Sequence, residues 1–197
     1  MISYRYDLKS REDRKESILS QLSWYPQNKI FRIDAIKNID GATGCGLSHI
    51  RALETALNDK SKLKYSMIIE DDINFVYNKK LTKSILIDLI KSDLYWNVIT
   101  LACYCSPTKY SNCQIKLKNK NLNKVLECNT TTGYIIRKSY IPYLISLFKK
   151  AINYRIKNNI YNDNLAGNPK YSSTCIDQVW KKFQYNHWYT PNIKFAT

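Results

Sequence analysis

Tyr65-Ser66-Met67-Ile68-Ile69-Glu70-Asp71-Asp72 is the stretch on which the fold turns. Its first five residues carry no charge and form a short apolar run, the form taken by a strand buried on both faces of a parallel sheet. The run ends abruptly in three carboxylates. In open α/β sheets, ligands sit at the carboxyl ends of strands. Two carboxylates about 4 Å apart repel by about 4 kcal/mol at an effective dielectric of 20. A divalent cation removes that repulsion, and an all-oxygen set suits a hard ion such as Mg²⁺ or Mn²⁺. Read alone, the triplet fits equally well a solvated turn in which one Asp caps the next element and the other acids face lysines.

Outward from this strand, Ile2 to Leu8 alternates around Ile2, Tyr4, Tyr6 and Leu8 with the period of a strand. Ser10 to Leu22 predicts a helix, opened by the capping-box spacing of Ser10-Arg11-Glu12-Asp13. Lys29 to Ile33 reads as a second strand. Asp40-Gly41-Ala42-Thr43-Gly44-Cys45-Gly46 reads as a glycine-punctuated loop, before a helix carrying Leu47, Ile50, Leu53 and Leu57. Downstream, Leu81 to Ile90 predicts an amphipathic helix and Asn97 to Ala102 a buried strand. Gln114–Leu117 and Lys124–Glu127 predict a hairpin, Tyr134–Arg137 a strand and Ser139–Ile152 a helix. Asn158 to Tyr171 is polar and loop-like, Thr174 to Phe183 a short helix, and Trp188 to Phe195 an extended or irregular segment. Strands and helices alternate through the first half, so a Rossmann-type α/β sheet, mostly parallel and flanked by helices, is the economical fold; the hairpin makes it mixed. With no internal repeat and no Pro/Gly-rich linker, residues 1–197 are expected to form a single domain.

The 197 residues include 31 Lys and Arg against 16 Asp and Glu, a net charge of +15. Such an excess suggests an anionic partner, nucleic acid among them. The lysines, however, are scattered singly or in pairs such as Lys79-Lys80, Lys149-Lys150 and Lys181-Lys182, without a basic block. A chain rich in Lys, Asn, Ile and Tyr is also what an AT-rich genome encodes, so no nucleic-acid partner is expected. A hydrophobic fraction of 44% excludes a disordered chain. No apolar run approaches the ~20 residues of a membrane span. The first residues lack an apolar signal-peptide core, so the expected location is cytoplasmic. Cys45, Cys103, Cys105, Cys113, Cys128 and Cys175 contain no C-x-x-C pair and read as reduced thiols.

Further candidates lie on either side of the acids. Arg11 and Arg14 fall on one face of the first predicted helix, near its start. The helix dipole disfavours cations there by about 0.3–1 kcal/mol each, and a bound anion reverses that sign; neutralisation by Glu12, Asp13 and Glu16 is the plainer account. Three of the five glycines precede Ser48-His49; they allow close approach of backbone to a ligand, or serve a turn and a helix start. Thr131 and Thr132, beside Gly133, offer hydroxyls to a sugar or phosphate, and are equally good strand formers. Asp177, in the spacing Thr174-x-x-Asp177, is a helix-start residue and a candidate general base.

Together these blocks resemble glycosyltransferase family 25, which holds lipopolysaccharide sugar transferases and collagen hydroxylysine galactosyltransferase domains. The family's N-L-x-x-R-x-D-R motif corresponds to Asp7-Leu8-Lys9-Ser10-Arg11-Glu12-Asp13-Arg14, and its G-x-x-G-C-x-x-S-H motif to Gly41 through His49. Its E-D-D strand end matches Met67 to Asp72, its T-x-G-Y motif Thr131 to Ile136, and its late Asp Asp177. The resemblance implies a GT-A fold, a UDP-sugar donor, Mn²⁺ (or Mg²⁺), and a hydroxyl acceptor on a glycan or a hydroxylysine-type protein side chain, with galactose or glucose as the hexose moved. It implies that Asp72, with Glu70 or Asp71, holds metal and ribose. It likewise places Arg11 and Arg14 on the nucleotide, Ser48 and His49 in the donor pocket with Thr132 and Gly133, and Asp177 on the acceptor side. Asp72 and Asp177 are then the catalytic candidates. Asp7 departs from the family's Asn, which alters contacts to uracil or ribose. The chain also stops at Phe195-Ala196-Thr197, where relatives generally continue, so truncation or loss of acceptor-side elements is expected. The alternatives are a binding-only member that keeps the nucleotide pocket without transfer, and a basic nucleic-acid-binding module.

Overall fold

A computed structural model of the chain describes residues 2–7, 12–104, 114–117, 121–161 and 169–197. In chain order its first elements are β1 (Ile2–Asp7), α1 (Glu12–Gln21), β2 (Ile30–Asp34), α2 (Gly41–Asn58), β3 (Tyr65–Glu70), α3 (Lys79–Ile90) and β4 (Val98–Thr100). There follow β5 (Gln114–Lys116), β6 (Leu122–Val125), β7 (Gly133–Arg137), α4 (Ile141–Lys157), α5 (Pro169–Ser172), α6 (Ile176–Val179) and β8 (Trp188–Pro191). The capping-box residues Ser10 and Arg11 lie outside the described residues, as do Cys105 and Cys113.

Among the described residues, eight strands form one sheet in the order β2-β1-β3-β7-β4-β8-β6-β5. β1 is parallel to β2 and β3, and β4 to β8, whereas β7 runs antiparallel between β3 and β4. β6 is antiparallel to both β8 and β5, the expected hairpin among them. β6 and β7 therefore oppose the other strands in a mixed sheet of mostly common direction.

β3 shows why its sequence is an uncharged run. Successive strand side chains alternate between faces. Met67 and Ile69 pack with Ile18 of α1, Leu22 just after it, and Leu86 and Leu89 of α3, on one face. Ile68 packs on the other face with Ile50 and Leu53 of α2 and Leu144 and Phe148 of α4. Each such burial contributes about 1.5–3 kcal/mol, and a charge anywhere between Ser66 and Ile69 would be desolvated without a partner.

One expectation is corrected. The glycine-rich stretch 40–46 is not a loop, because α2 already begins at Gly41. Asp40 caps it, accepting hydrogen bonds from the Thr43 amide at 3.2 Å and the Thr43 hydroxyl at 2.5 Å. The glycines permit close packing. A Cβ on Gly44 would lie 2.7 Å from the Ile36 carbonyl oxygen, and one on Gly46 would lie 2.8 Å from Ile152 Cδ1. Alanine in place of a helical glycine ordinarily stabilises by about 0.5–1 kcal/mol. For Gly44→Ala the sign reverses, since the methyl group meets backbone that cannot rotate away. The expected loss is about 1–3 kcal/mol, measured by urea unfolding; a gain in stability would show that the 36–44 contact is loose.

Candidate active site

The carboxyl end of β3 opens onto a cavity of about 1060 Å³. Because β7 runs against β3, its first residues lie beside the last ones of β3, with Gly133 opposite Ile69. The Glu70 amide donates to the Thr132 carbonyl at 2.8 Å, so the two segments converge at the mouth of the sheet. Glu70, Thr131 and Thr132 line the cavity on that side, Cys45 of α2 and Asp177 of α6 on another. The segment 190–197 supplies much of the remaining wall. It is held there by reciprocal backbone hydrogen bonds between Asn74 and Thr197, at 2.8 and 2.9 Å, and by a bridge between Phe75 and Ala196.

The acids of Glu70-Asp71-Asp72 divide. Glu70 faces the cavity, accepting from the Thr131 hydroxyl at 2.8 Å and lying 3.2 Å from Nε2 of His49. His49 is fully buried, and its Nδ1 lies 3.1 Å from the Tyr134 hydroxyl. Burial, with the charges of Glu70 and Cys45 adding to it, pushes the Tyr134 phenol well above its ordinary value, so its proton stays on. With the phenol donating to Nδ1, the Nε2–H of His49 donates to Glu70, and the carboxylate is fixed from two sides. Asp71 and Asp72 instead meet Arg14, at 3.0 and 3.3 Å. Burial and the charges of Glu70 and Asp71 push the Asp72 carboxyl above its ordinary value, and the Arg14 guanidinium opposes them.

Of the predicted site residues, Glu70, Thr132 and Asp177 line the cavity; Asp71 and Asp72 with Arg14, and the buried His49, lie next to the end of β3 but not on the cavity wall. Arg11 lies outside the described residues. Ser48 is not on the cavity wall: it is buried, donating to the Gly44 carbonyl and accepting from the Ile36 amide, both at 2.8 Å. Gly133 is likewise a packing residue, since a Cβ there would come 2.5 Å from Ile73 Cδ1. Asp177 is steadied by Gln178, whose Nε2 donates to Asp177 Oδ2 at 2.9 Å and to Asn129 Oδ1 at 3.2 Å. Among the described residues, Cys45, Cys103, Cys128 and Cys175 form no disulfide with one another.

Three features escaped the sequence reading. Cys45 joins His49 and Glu70 in a group whose ligand atoms all lie within 4.8 Å of one another; its four-residue spacing from His49 was the available signal. Asp40 is paired with Arg155 in the interior at 2.6 Å. The segment from Trp188, expected to be extended or irregular, begins as β8, and its residues 190–197 form part of the cavity.

Comparison with known proteins accords with this geometry. A family model described as glycosyltransferase family 25 (LPS biosynthesis protein) matches residues 29–165, well over half of the chain. The matched region holds the Gly41–His49, Glu70–Asp72 and Thr131–Tyr134 blocks and leaves Arg14 and Asp177 outside it. Curated protein sequences give no match. Among solved structures, the chain is similar to a mannose-1-phosphate geranyltransferase from Thermus thermophilus, at 9% identity and a TM-score of 0.50, over 96% of this chain and 72% of that one. It is also similar to the glycosyltransferase GlyE of Streptococcus pneumoniae, at 7% identity and a TM-score of 0.51, over 97% of this chain but only 45% of that one. At such identities the likeness is one of fold, a GT-A-like α/β sheet flanked by helices. No helix among the described residues is long and apolar enough to cross a membrane.

Proposed function

The chain belongs to glycosyltransferase family 25, and from that premise we propose that residues 1–197 act as one catalytic unit moving a hexose, galactose or glucose, from a UDP-sugar to a hydroxyl on a glycan or a hydroxylysine-type side chain. Support comes above all from one observation: Glu70, Thr132 and Asp177 line a single cavity of about 1060 Å³ at the carboxyl end of β3. That volume is at the upper end of the roughly 300–1,000 Å³ typical of ligand pockets.

Asp71 and Asp72 fit a hard divalent ion. The Asp72 carboxyl is held above its ordinary value by burial and by neighbouring carboxylates, a repulsion that a cation relieves and that oxygen donors suit for Mn²⁺ or Mg²⁺. Asp72 and Asp71 would hold the ion, whose chemistry when bound is to stabilise negative charge on the departing diphosphate. Arg14, already turned towards these acids, adds charge-assisted hydrogen bonds to a phosphate oxygen. Glu70, fixed by Thr131 and His49, presents carboxylate oxygens to donor hydroxyls, and the Thr132 hydroxyl lies on the same wall. Asp177 takes the proton of the acceptor hydroxyl as that oxygen attacks the anomeric carbon in an inverting displacement.

UDP release from UDP-galactose and UDP-glucose, with and without Mn²⁺, tests the assignment. Asp72→Asn is expected to lower kcat by about 10²–10³-fold, the scale of losing one preorganised electrostatic stabiliser. Its thermal midpoint is expected to be unchanged or higher, because a repelled carboxylate is replaced by a neutral amide. Undiminished Mn²⁺-dependent turnover in this variant would remove Asp72 from the site.

A further inference from the structure

We propose that Cys45, His49 and Glu70 form a second cation site, for a borderline divalent ion of the Zn²⁺ class, open on its cavity side. The site shares Glu70 with the donor contacts proposed above and is distinct in chemistry from the oxygen pair Asp71–Asp72.

Two observations place the ligands. Cys45 and His49 are four residues apart on α2, one turn along the same helix face. Glu70 ends β3 against them, and the three ligand atoms lie within 4.8 Å of one another. His49 Nε2 and Glu70 Oε1 are already 3.2 Å apart. Zn–S bonds of about 2.3 Å and Zn–N or Zn–O bonds of about 2.0–2.1 Å put tetrahedral ligand atoms about 3.5 Å apart, so side-chain movements of about 1 Å complete the set.

The surroundings fit ligation. Metal-binding imidazoles are oriented by a partner on the other ring nitrogen, and here the Tyr134 hydroxyl stands 3.1 Å from Nδ1. The carboxylate has its own partner in the Thr131 hydroxyl at 2.8 Å. On loading, the Cys45 thiol gives its proton to solvent. His49 takes the Nδ1–H tautomer, with the Tyr134 oxygen now accepting, so that the Nε2 lone pair and the thiolate both face the ion.

Ligand identity sets the metal. One thiolate, one imidazole and one carboxylate suit Zn²⁺, or Co²⁺ in its place, and disfavour Mn²⁺ and Mg²⁺. Three protein ligands leave a fourth position, and Cys45 and Glu70 both line the cavity, so that position faces its interior. An open fourth position marks a site that holds water or substrate rather than a closed structural one.

The test uses the full chain, reduced, stripped of metal with a chelator and kept free of oxygen. Titration with Co²⁺ is expected to give a thiolate-to-cobalt charge-transfer band that saturates at one equivalent. Zn²⁺ is expected to abolish the band stoichiometrically, and equal Mn²⁺ to leave it. Cys45→Ser is expected to remove the band and Glu70→Gln to weaken binding by about 10–100-fold, while Asp72→Asn leaves the band unchanged. A second measurement needs no variant: Zn²⁺ is expected to slow alkylation of Cys45, read by mass spectrometry, by about tenfold or more, because the bound thiolate is no longer a free nucleophile. Absence of the band at one equivalent, its survival in Cys45→Ser, or unprotected Cys45 overturns the proposal and leaves the three residues as a hydrogen-bonded group only. Since no arm requires a nucleotide or turnover, this failure is separable from failure of the transferase assignment.

Discussion

Replacing Arg155 with alanine is expected to cost about 3–5 kcal/mol of stability, because it strands the Asp40 carboxylate in the interior. Arg155 and Asp40 are 1% and 0% exposed. The guanidinium donates to Asp40 Oδ2 from Nε at 2.9 Å and from Nη2 at 2.6 Å. Its Nη1 donates to the Tyr171 carbonyl at 3.0 Å and the Thr174 hydroxyl at 2.8 Å, and it stacks 4.4 Å from the Tyr171 ring centroid. One side chain thus ties the cap of α2 to α4 and to the segment leading into Asp177. At about 2–4 °C per kcal/mol for a chain of this size, the thermal midpoint is expected to fall by roughly 10 °C. Burial alone would push the Asp40 carboxyl up, but hydrogen bonds from Thr43 and Arg155 hold it below its ordinary value of 3.8. The resulting stability is fully present above that value and is lost as pH falls through the lower folded value. In Arg155→Ala the desolvation is unopposed by the guanidinium, so acid unfolding is expected to begin at a higher pH than in the wild type. Thermal melts at neutral pH and an acid titration followed by circular dichroism measure both effects. A loss below about 1 kcal/mol, the scale of an exposed pair, would mean that water reaches Asp40.

The pairing also shows which parts of this protein a sequence can disclose. The β3 run and its acidic end were legible because burial on two faces excludes charge locally, and the Cys45–His49 spacing was open to the same kind of reading. Asp40 and Arg155 are separated by 115 residues, and neither has a local signature, since Asp40 also reads as an ordinary turn residue. The start of α2 was misread for a related reason. Glycine lowers helix propensity, but tertiary contacts with Ile36 and Ile152 demand its lack of a side chain, and packing overrides propensity. Periodicity gave β7 as a strand without its direction, yet that reversed direction is what sets Thr131 and Thr132 beside Glu70. Ser48 matched its motif, but its hydroxyl is used to join Ile36 to α2. The spacing of Ser48 and His49 identified a family block; only the fold separates the residue that stabilises the helix from the one that reaches Glu70.

Asp177→Asn is expected to lower kcat by about 10²–10⁴-fold, the usual contribution of a positioned general base. An inverting transfer needs a carboxylate on the acceptor side, opposite the leaving diphosphate. Asp177 enters the cavity from α6, whereas Glu70 lines it from the end of β3, next to the Arg14-held acids. Gln178 holds Asp177 Oδ2 and reaches across to Asn129, which orients the carboxylate without neutralising it. Asparagine keeps the shape and is able to keep one hydrogen bond with Gln178, so the stability change is expected to stay within about 0.5 kcal/mol. The KM for the UDP-sugar is expected to hold, because the donor contacts assigned here lie on the β3 side. The acidic limb of kcat/KM against pH, which reports the base in the free enzyme, is expected to disappear in the variant. That limb separates chemistry from binding: a variant with lowered activity, a raised acceptor KM and an intact acidic limb would make Asp177 an acceptor-binding group. The proton would then have to leave through Glu70, the other carboxylate on the cavity wall, and Glu70→Gln, not Asp177→Asn, would be the variant that flattens the profile.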